Sequence, residues 1–309
     1  MAEVMHWLIV RGVAIFCLLA CCAAAGAQAA PSSIRYSTRL ITQSSVHVID
    51  IDMHDQTLLV TPCAAISRRK KLMKFREFQE ASQSLAQMTG SFFSLQSGCP
   101  IGDIVIRGQQ RYFTQRIGAA LVVTPRNEPS IIDGPRGAAG WRGYESVLQG
   151  GIRLVKAGQI SPNPRAQGFH DHYMERCTSR VAVGVLPNAH LLMVQANHLR
   201  FPQLAAIMQK LGCIDAMALD GGGSTGFSYL GKSISATSRP LANVLAVVRR
   251  SPQEIAARLQ PPVLPDLPAS ASSLAAPTTP RDRPISSTSS FSPIQRLYML
   301  FYAFCEQFR

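Results

Sequence analysis

The chain has 309 residues, of which 47% are hydrophobic, and its 31 Lys and Arg against 18 Asp and Glu give a net charge of +13. A basic balance of this size suits an anionic partner such as a phosphate, an anionic glycan, a membrane surface or a nucleic acid. The charge is scattered, and its one run, Arg68-Arg69-Lys70-Lys71, has no recognition helix or interleaved aromatics beside it, so that run reads as a solvated loop and nucleic acid is set aside as a partner.

Residues 1–29 read as a secretory signal peptide. Arg11 supplies a positive charge, Gly12 to Ala25 is almost entirely apolar, and Ala27-Gln28-Ala29 is a small-x-small cleavage site. The apolar run is shorter than the ~20 residues of a comfortable membrane span. Lipidation at Cys21, after Leu18-Leu19-Ala20, is the second reading and an uncleaved anchor the third. The mature domain is therefore expected outside the cytoplasm, in a periplasmic or secreted compartment. Past the signal lie Cys63, Cys99, Cys177, Cys213 and Cys305. They contain no C-x-x-C pair, which argues against a structural zinc site, and export allows one or two disulfides whose pairing the sequence leaves open.

Residues 30–250 form the expected folded domain. "VHVIDID" from Val46 and "TLLVTPC" from Thr57 have strand character around a turn at "MHDQ", and a helical pattern with Phe75, Phe78 and Leu85 follows. "SRVAVGVLPNAHLLMVQAN" from Ser179 repeats the plan, with a turn at Pro187-Asn188. The helix after it starts near Pro202, turns Leu204, Ile207, Met208 and Leu211 to one face, and stops at Gly212. Each helix leads to a glycine turn, "QMTGSFFSLQSG" first and "AMALDGGGSTG" second. The pattern predicts an α+β fold in two pseudo-repeated halves, each a twisted, mostly antiparallel sheet packed on a helix. The two glycine turns would then face each other at the junction, where clefts often lie. Residues 251–293, crowded with Pro, Ser, Thr and Ala, read as a disordered linker. Residues 294–309 place Ile294, Leu297, Tyr298, Phe301 and Phe308 near helical spacing, a short amphipathic segment for docking, a loose end or peripheral membrane contact.

Two motifs compete for the chemistry. Gly226 to Ser233 spells the G-x-x-x-x-G-K-S of a phosphate-binding loop. Such a loop needs a strand directly before it and a helix directly after it, whereas "FSYL" is itself strand-like and "ISATSRP" has no helical face. The match is read as accidental and Gly231-Lys232 as a hairpin turn. The other motif is Asp220-Gly221-Gly222-Gly223-Ser224, an acid at a strand end opening a glycine turn whose amides can form an anion nest. A tight structural turn with Asp220 capping its own amides explains the same residues.

"MALDGGGST" after "LAAIMQKLGCIDA" resembles the signature of the phosphodiester glycosidase family. In chain order, "TGSFFSLQSGCPIGDIVIRGQ" is similar to that family's N-G-x-F-F segment, "LQGGIRLVKAGQI" to its G-G-P-x-L-V segment, "SRVAVGV" to its R-T-A-x-G segment and "SRPLANVLAV" to its closing Arg-containing strand. The resemblance runs from about Val46 to Val248. Thr89, Ile152 and Val181 stand where the family usually has Asn, Pro and Thr, and loss of the amide at position 89 is expected to alter substrate contacts.

The resemblance implies a hydrolase that frees a sugar from a sugar-1-phosphodiester in a phosphate-bearing glycan. Asp220 is the candidate nucleophile or general base. Arg180, and after it Arg239, are candidate phosphate clamps, with a structural salt bridge as the other account of each. Gly221, Gly222, Gly223 and Ser224 would cradle the substrate, Gly90, Ser91 and Phe93 would line the opposing wall, and Gly150 and Gly151 join the substrate-binding set. No cofactor is called for and a divalent metal is left open. His170 and His172 serve as acid, ligand or loop surface. The rival reading is a non-catalytic envelope protein that binds exported polysaccharide through the same cleft.

Overall fold

The structure is a computed structural model and describes residues 33–65, 72–114, 117–134 and 140–259. In chain order the strands are β1 (Ile34–Ile41), β2 (Ser44–Asp52), β3 (Leu58–Ala64), β4 (Ala86–Thr89), β5 (Ile104–Ile106), β6 (Gln109–Tyr112), β7 (Ala119–Val123), β8 (Pro129–Asp133), β9 (Ser146–Lys156), β10 (Gln159–Ile160), β11 (Thr178–Val185), β12 (His190–Leu199), β13 (Asp215–Ala218), β14 (Phe227–Tyr229), β15 (Lys232–Ser235) and β16 (Asn243–Arg249). The helices are α1 (Phe75–Ser82), α2 (Phe201–Lys210) and α3 (Pro252–Leu259). The signal segment and residues 260–309 lie outside the described residues, as does Cys305.

The strands form two sheets in which every pairing is antiparallel. The larger runs β1-β2-β12-β11-β13-β9-β5-β6, with β10 and β7 attached at β9 and β8 at β7, and the smaller runs β15-β14-β4-β16-β3. Strand alternation sorts the side chains. Ile49, Ile51, Val181 and Val183 from the larger sheet meet Val60, Met88, Phe227 and Leu245 from the smaller one in a shared core. Val46, Val48, Ala182 and Val194 point the other way, onto Leu204, Ile207 and Met208 of α2. Phe75 and Phe78 of α1 pack on Val244 at the outer face of the smaller sheet. The order of layers is helix, large sheet, small sheet, helix.

The expected hairpin between "VHVIDID" and "TLLVTPC" does not form. Both segments are strands, but β2 already has β1 on one edge and β12 on the other, so β3 passes to the second sheet and pairs with β16. Two sheets each packed on a helix are present, yet both mix strands from the two ends of the sequence, and two self-contained halves do not describe them. A finer regularity holds instead. β12, α2 and β13 form a strand–helix–strand crossover around the central β11, and β3, α1 and β4 form the same crossover around β16. In the second unit the centre strand precedes the crossover in sequence; in the first it comes from the far end of the domain.

Local sequence accounts for the elements. Pro202 sits in the first turn of α2, and Gly212, with φ of 88°, ends it. In β9 the glycine pair reverses which face is inward: Leu148 belongs to the inter-sheet core, while Ile152 and Leu154 face α2. The neighbouring strand pairs Ala119 with Gly151 and Ala120 with Gln149, so Gly150, at φ of 96°, is the bulged residue. Residues Pro252–Leu259, inside the expected linker, form α3, which Ser251 and Glu254 cap reciprocally (Ser251 N to Glu254 Oε2, 2.7 Å; Glu254 N to Ser251 Oγ, 3.3 Å) and Glu254 ties to Arg107; the rest of that segment lies outside the described residues. Cys63, Cys99, Cys177 and Cys213 are free thiols, so the disulfides that export would allow are absent among the described residues. No described helix is long and apolar enough to cross a membrane.

Candidate active site

A cleft of about 790 Å³ opens where the C-terminal ends of β4 and β13 meet. These are the closing strands of the two crossover units. The loop after β4 contributes Phe92 through Gln96, the loop after β13 contributes Asp220 through Ser224, the segment before β11 contributes Asp171, Tyr173 and Arg176, β11 itself contributes Thr178 and Arg180, and Arg239 comes from the loop before β16.

Asp220 is half-buried at the base. Its amide donates to the Gly90 carbonyl at 3.0 Å, and its Oδ1 accepts from the Gly221 amide at 2.9 Å. Burial pushes its carboxyl up to about 6, against the pull of hydrogen bonds from Ser224 and Gly221 and the charges of Arg239 and Arg180. The glycines that follow are there for space. A Cβ at Gly221 would lie 2.7 Å from the Ser179 carbonyl, which would lift the turn off β11, and Gly222 has a φ of 59°. Asp220 does cap its own turn, as the structural reading required, while also lining the cleft.

Arg180 is buried, with its guanidinium 3.9 Å over the Phe201 ring. Nε donates to the Leu199 carbonyl at 3.3 Å, and Nη2 donates to Met174 and Arg176 carbonyls at 3.2 and 2.7 Å. Burial lowers its pKa to about 10, so it remains a cation at neutral pH. Both fork edges of a guanidinium include Nη2, so the geometry does not offer the expected bidentate clamp. Arg180 instead ties the 171–176 wall to β11 and β12 and presents charge to Asp220. Arg239 is exposed at the rim and makes no hydrogen bond or ion pair to the described residues; a Cβ at Gly223 would stand 2.6 Å from its Nη2.

Of the other expected residues, Phe93, Gly222, Gly223 and Ser224 line the cleft. Gly90 and Ser91 lie behind it. The Gly90 amide donates to the Asn243 carbonyl at 3.2 Å, and the Ser91 amide donates to Asn243 Oδ1 at 2.8 Å, so Asn243 holds the turn that supports Asp220. Gly150 and Gly151 sit further back, at the β9 bulge, with Gly150 against Gly102 and Ser91. The three departures from the family pattern are all buried. Thr89 Oγ1 donates to the Ser224 carbonyl at 2.5 Å and accepts from the Gly226 amide at 2.7 Å, while Ile152 and Val181 are core residues. His170 and His172 are surface groups, and among the described residues no three His, Cys, Asp or Glu side chains are arranged to hold a metal. The P-loop-like run is a β14–β15 hairpin turning at Leu230-Gly231, with no helix after it.

Sequence reasoning passed over Asn243, Tyr173 and Arg176. A polar residue inside the apolar run "LANVLAV" signals the first. Arg176 lies four residues before Arg180 and stacks 4.1 Å over the Tyr173 ring, in a segment whose only visible sign was its cluster of charged and aromatic residues.

The chain is similar in fold to solved structures. A hypothetical protein from Synechocystis superposes with a TM-score of 0.63 at 14% identity, over 72% of this chain and 64% of that one, so the chain spans just under two thirds of its length. The catalytic domain of zebrafish N-acetylglucosamine-1-phosphodiester alpha-N-acetylglucosaminidase, auto-inhibited by its pro-peptide, superposes with a TM-score of 0.59 at 15% identity, over 72% of this chain and 85% of that one. No curated protein matches the chain. The phosphodiester glycosidase family model matches residues 82–248, from the end of α1 through β16 and including both glycine turns. With more than half of its length so matched, the chain belongs to the phosphodiester glycosidase family.

Proposed function

We propose that the protein hydrolyses the bond between an anomeric carbon and a phosphodiester oxygen in a phosphate-bearing glycan. The observation that supports this most directly is Asp220, an acid with its pKa raised to about 6, set in one cleft with the cations Arg180 and Arg239. Water attacks the anomeric carbon and gives its proton to the Asp220 carboxylate. The bond from that carbon to the phosphate oxygen breaks, and its electron pair leaves with the phosphate as a phosphomonoester. That leaving group, with a second pKa near ~6, needs little protonation. The phosphate gains negative charge as the bond breaks, so a cation with unengaged donors stabilises the transition state more than the ground state. Arg239 has that availability. Phe93 and Tyr173 offer aromatic surface to a sugar ring.

Release of phosphomonoester from a panel of sugar-1-phosphodiesters, with and without chelator, tests the reading. Binding of the panel without turnover would favour the non-catalytic polysaccharide-binding alternative. We place the mature protein in a periplasmic or secreted compartment on the strength of residues 1–29. N-terminal sequencing checks it: a chain starting at Ala30 agrees, a blocked Cys21 points to the lipoprotein route, and an intact Met1 in a cytosolic fraction opposes it.

A further inference from the structure

A second groove, of about 780 Å³, lies beside the catalytic cleft and shares Arg239 with it. One side is α1, through Lys74, Phe75 and Arg76; the other is the hairpin and loop that carry Ser233, Thr237 and Pro240. Its charges are three cations, Lys74, Arg76 and Arg239, against one carboxylate, Glu80. Arg76 is paired with Glu80 at 2.8 Å, while Lys74 and Arg239 make no ion pair to the described residues. Phe75 is buried beneath the groove and packed on Gly226, where an added Cβ would meet its ring at 2.7 Å, and Pro240 and Thr237 supply the apolar surface.

Nothing in the chemistry assigned to Asp220 uses this groove. It begins at the residue placed on the phosphate, extends over residues other than Asp220, and combines apolar walls with two cations, Lys74 and Arg239, that have no ion pair among the described residues. That combination fits the next unit of a chain whose sugars are joined through phosphates, with a ring against Pro240 and Thr237 and a phosphate near Lys74.

We propose that this groove is an aglycone subsite for a polymeric, repeatedly phosphorylated glycan, with Arg239 as the bridge between two consecutive phosphates. The inference rests on the phosphodiesterase reading of the first cleft. It implies cleavage of polymers in preference to small diesters, and recognition that depends on the charge of the unit beyond the scissile bond.

The test compares a methyl sugar-1-phosphodiester with an oligomer of the same sugar linked through 1-phosphodiesters, in wild type and in the exposed Lys74→Glu and Arg76→Glu variants. Lys74→Glu is expected to raise KM for the oligomer by roughly fivefold or more, since an exposed charge interaction contributes up to ~1 kcal/mol and reversal adds repulsion. Its kcat for the oligomer and both constants for the methyl diester should stay at wild-type values. Equal KM for short and long substrates in wild type, or a variant that alters both equally, would overturn the subsite. If neither substrate is turned over, the hydrolase reading fails, and calorimetry with the oligomer still decides the groove: weaker binding to Lys74→Glu than to wild type supports it, and equal binding removes it.

Discussion

The amide of Asp220 donates to the carbonyl of Gly90 at 3.0 Å, so the acid whose pKa burial raises in the cleft hangs from the opposite glycine turn. The turn after β13 and the turn after β4 are thereby one unit. Asn243, on the strand that centres the smaller sheet, fixes the Gly90–Ser91 side of it through its backbone and its amide.

Asp220→Asn should cost turnover and raise stability together. Removing a general base is expected to lower kcat by roughly 10²–10⁴-fold. The sign of the stability change follows from the direction of the shift. A folded pKa of about 6 above the ordinary 3.8 means the ionised form is disfavoured in the fold, so stability falls as pH rises between those values and stays reduced above them. Asn has no charge to bury, and a gain on the order of 1–3 kcal/mol at pH 7, absent at pH 3, should appear in thermal or urea melts.

The pH profile of kcat/KM should rise through about pH 6 as Asp220 ionises. An activity that increases toward pH 4 instead would mark Asp220 as an acid donor and contradict its assignment as base.

Arg239→Ala and Arg180→Ala should separate chemistry from construction. Arg239 is exposed and makes no hydrogen bond or ion pair among the described residues, so its loss should leave stability within about ±0.5 kcal/mol and reduce turnover by roughly 10²-fold, as for one transition-state donor. Arg180→Ala strips the donor from the carbonyls of Leu199, Met174 and Arg176, and is expected to destabilise by on the order of 2–4 kcal/mol. Circular dichroism melts alongside kinetics read both.

Asn243→Ala should lower stability by about 1–3 kcal/mol, because the buried Ser91 amide loses its acceptor. Gly221→Ala should act more sharply on activity, since the new methyl would press on the Ser179 carbonyl, a backbone atom held in β11, and the Asp220 turn must move to make room.

Strands, the amphipathic face of α2 and the Asp220 turn were legible in the sequence because each depends on a period or a local conformation. Strand partners were not. β2 and β3 read as a hairpin from their spacing, and only the edge pairing of β2 by β1 and β12 shows why they part. β1 itself, "IRYSTRLI", is largely solvent-facing and lacks a clear apolar pattern. Ser251-x-x-Glu254 had the form of a capping box, yet the Pro-rich composition beyond it concealed a helix. At the site, Asp220, Arg239 and Phe93 could be found from motifs. Gly90, Ser91, Gly150 and Gly151 share those motifs but support the cleft from behind, a distinction between lining and backing that spacing along a chain does not encode.

The centre strand of the smaller sheet, β16, arrives last. β3 and β4 are synthesised early and each has an edge that only β16 closes. A ribosome that has released everything up to Ala242 has made a chain whose first crossover unit has no middle. High contact order of this kind slows folding and delays it until nearly the whole domain is available. The larger sheet needs nothing from β16, so the two sheets close at different times, the smaller one only once the last strand of the domain has been made.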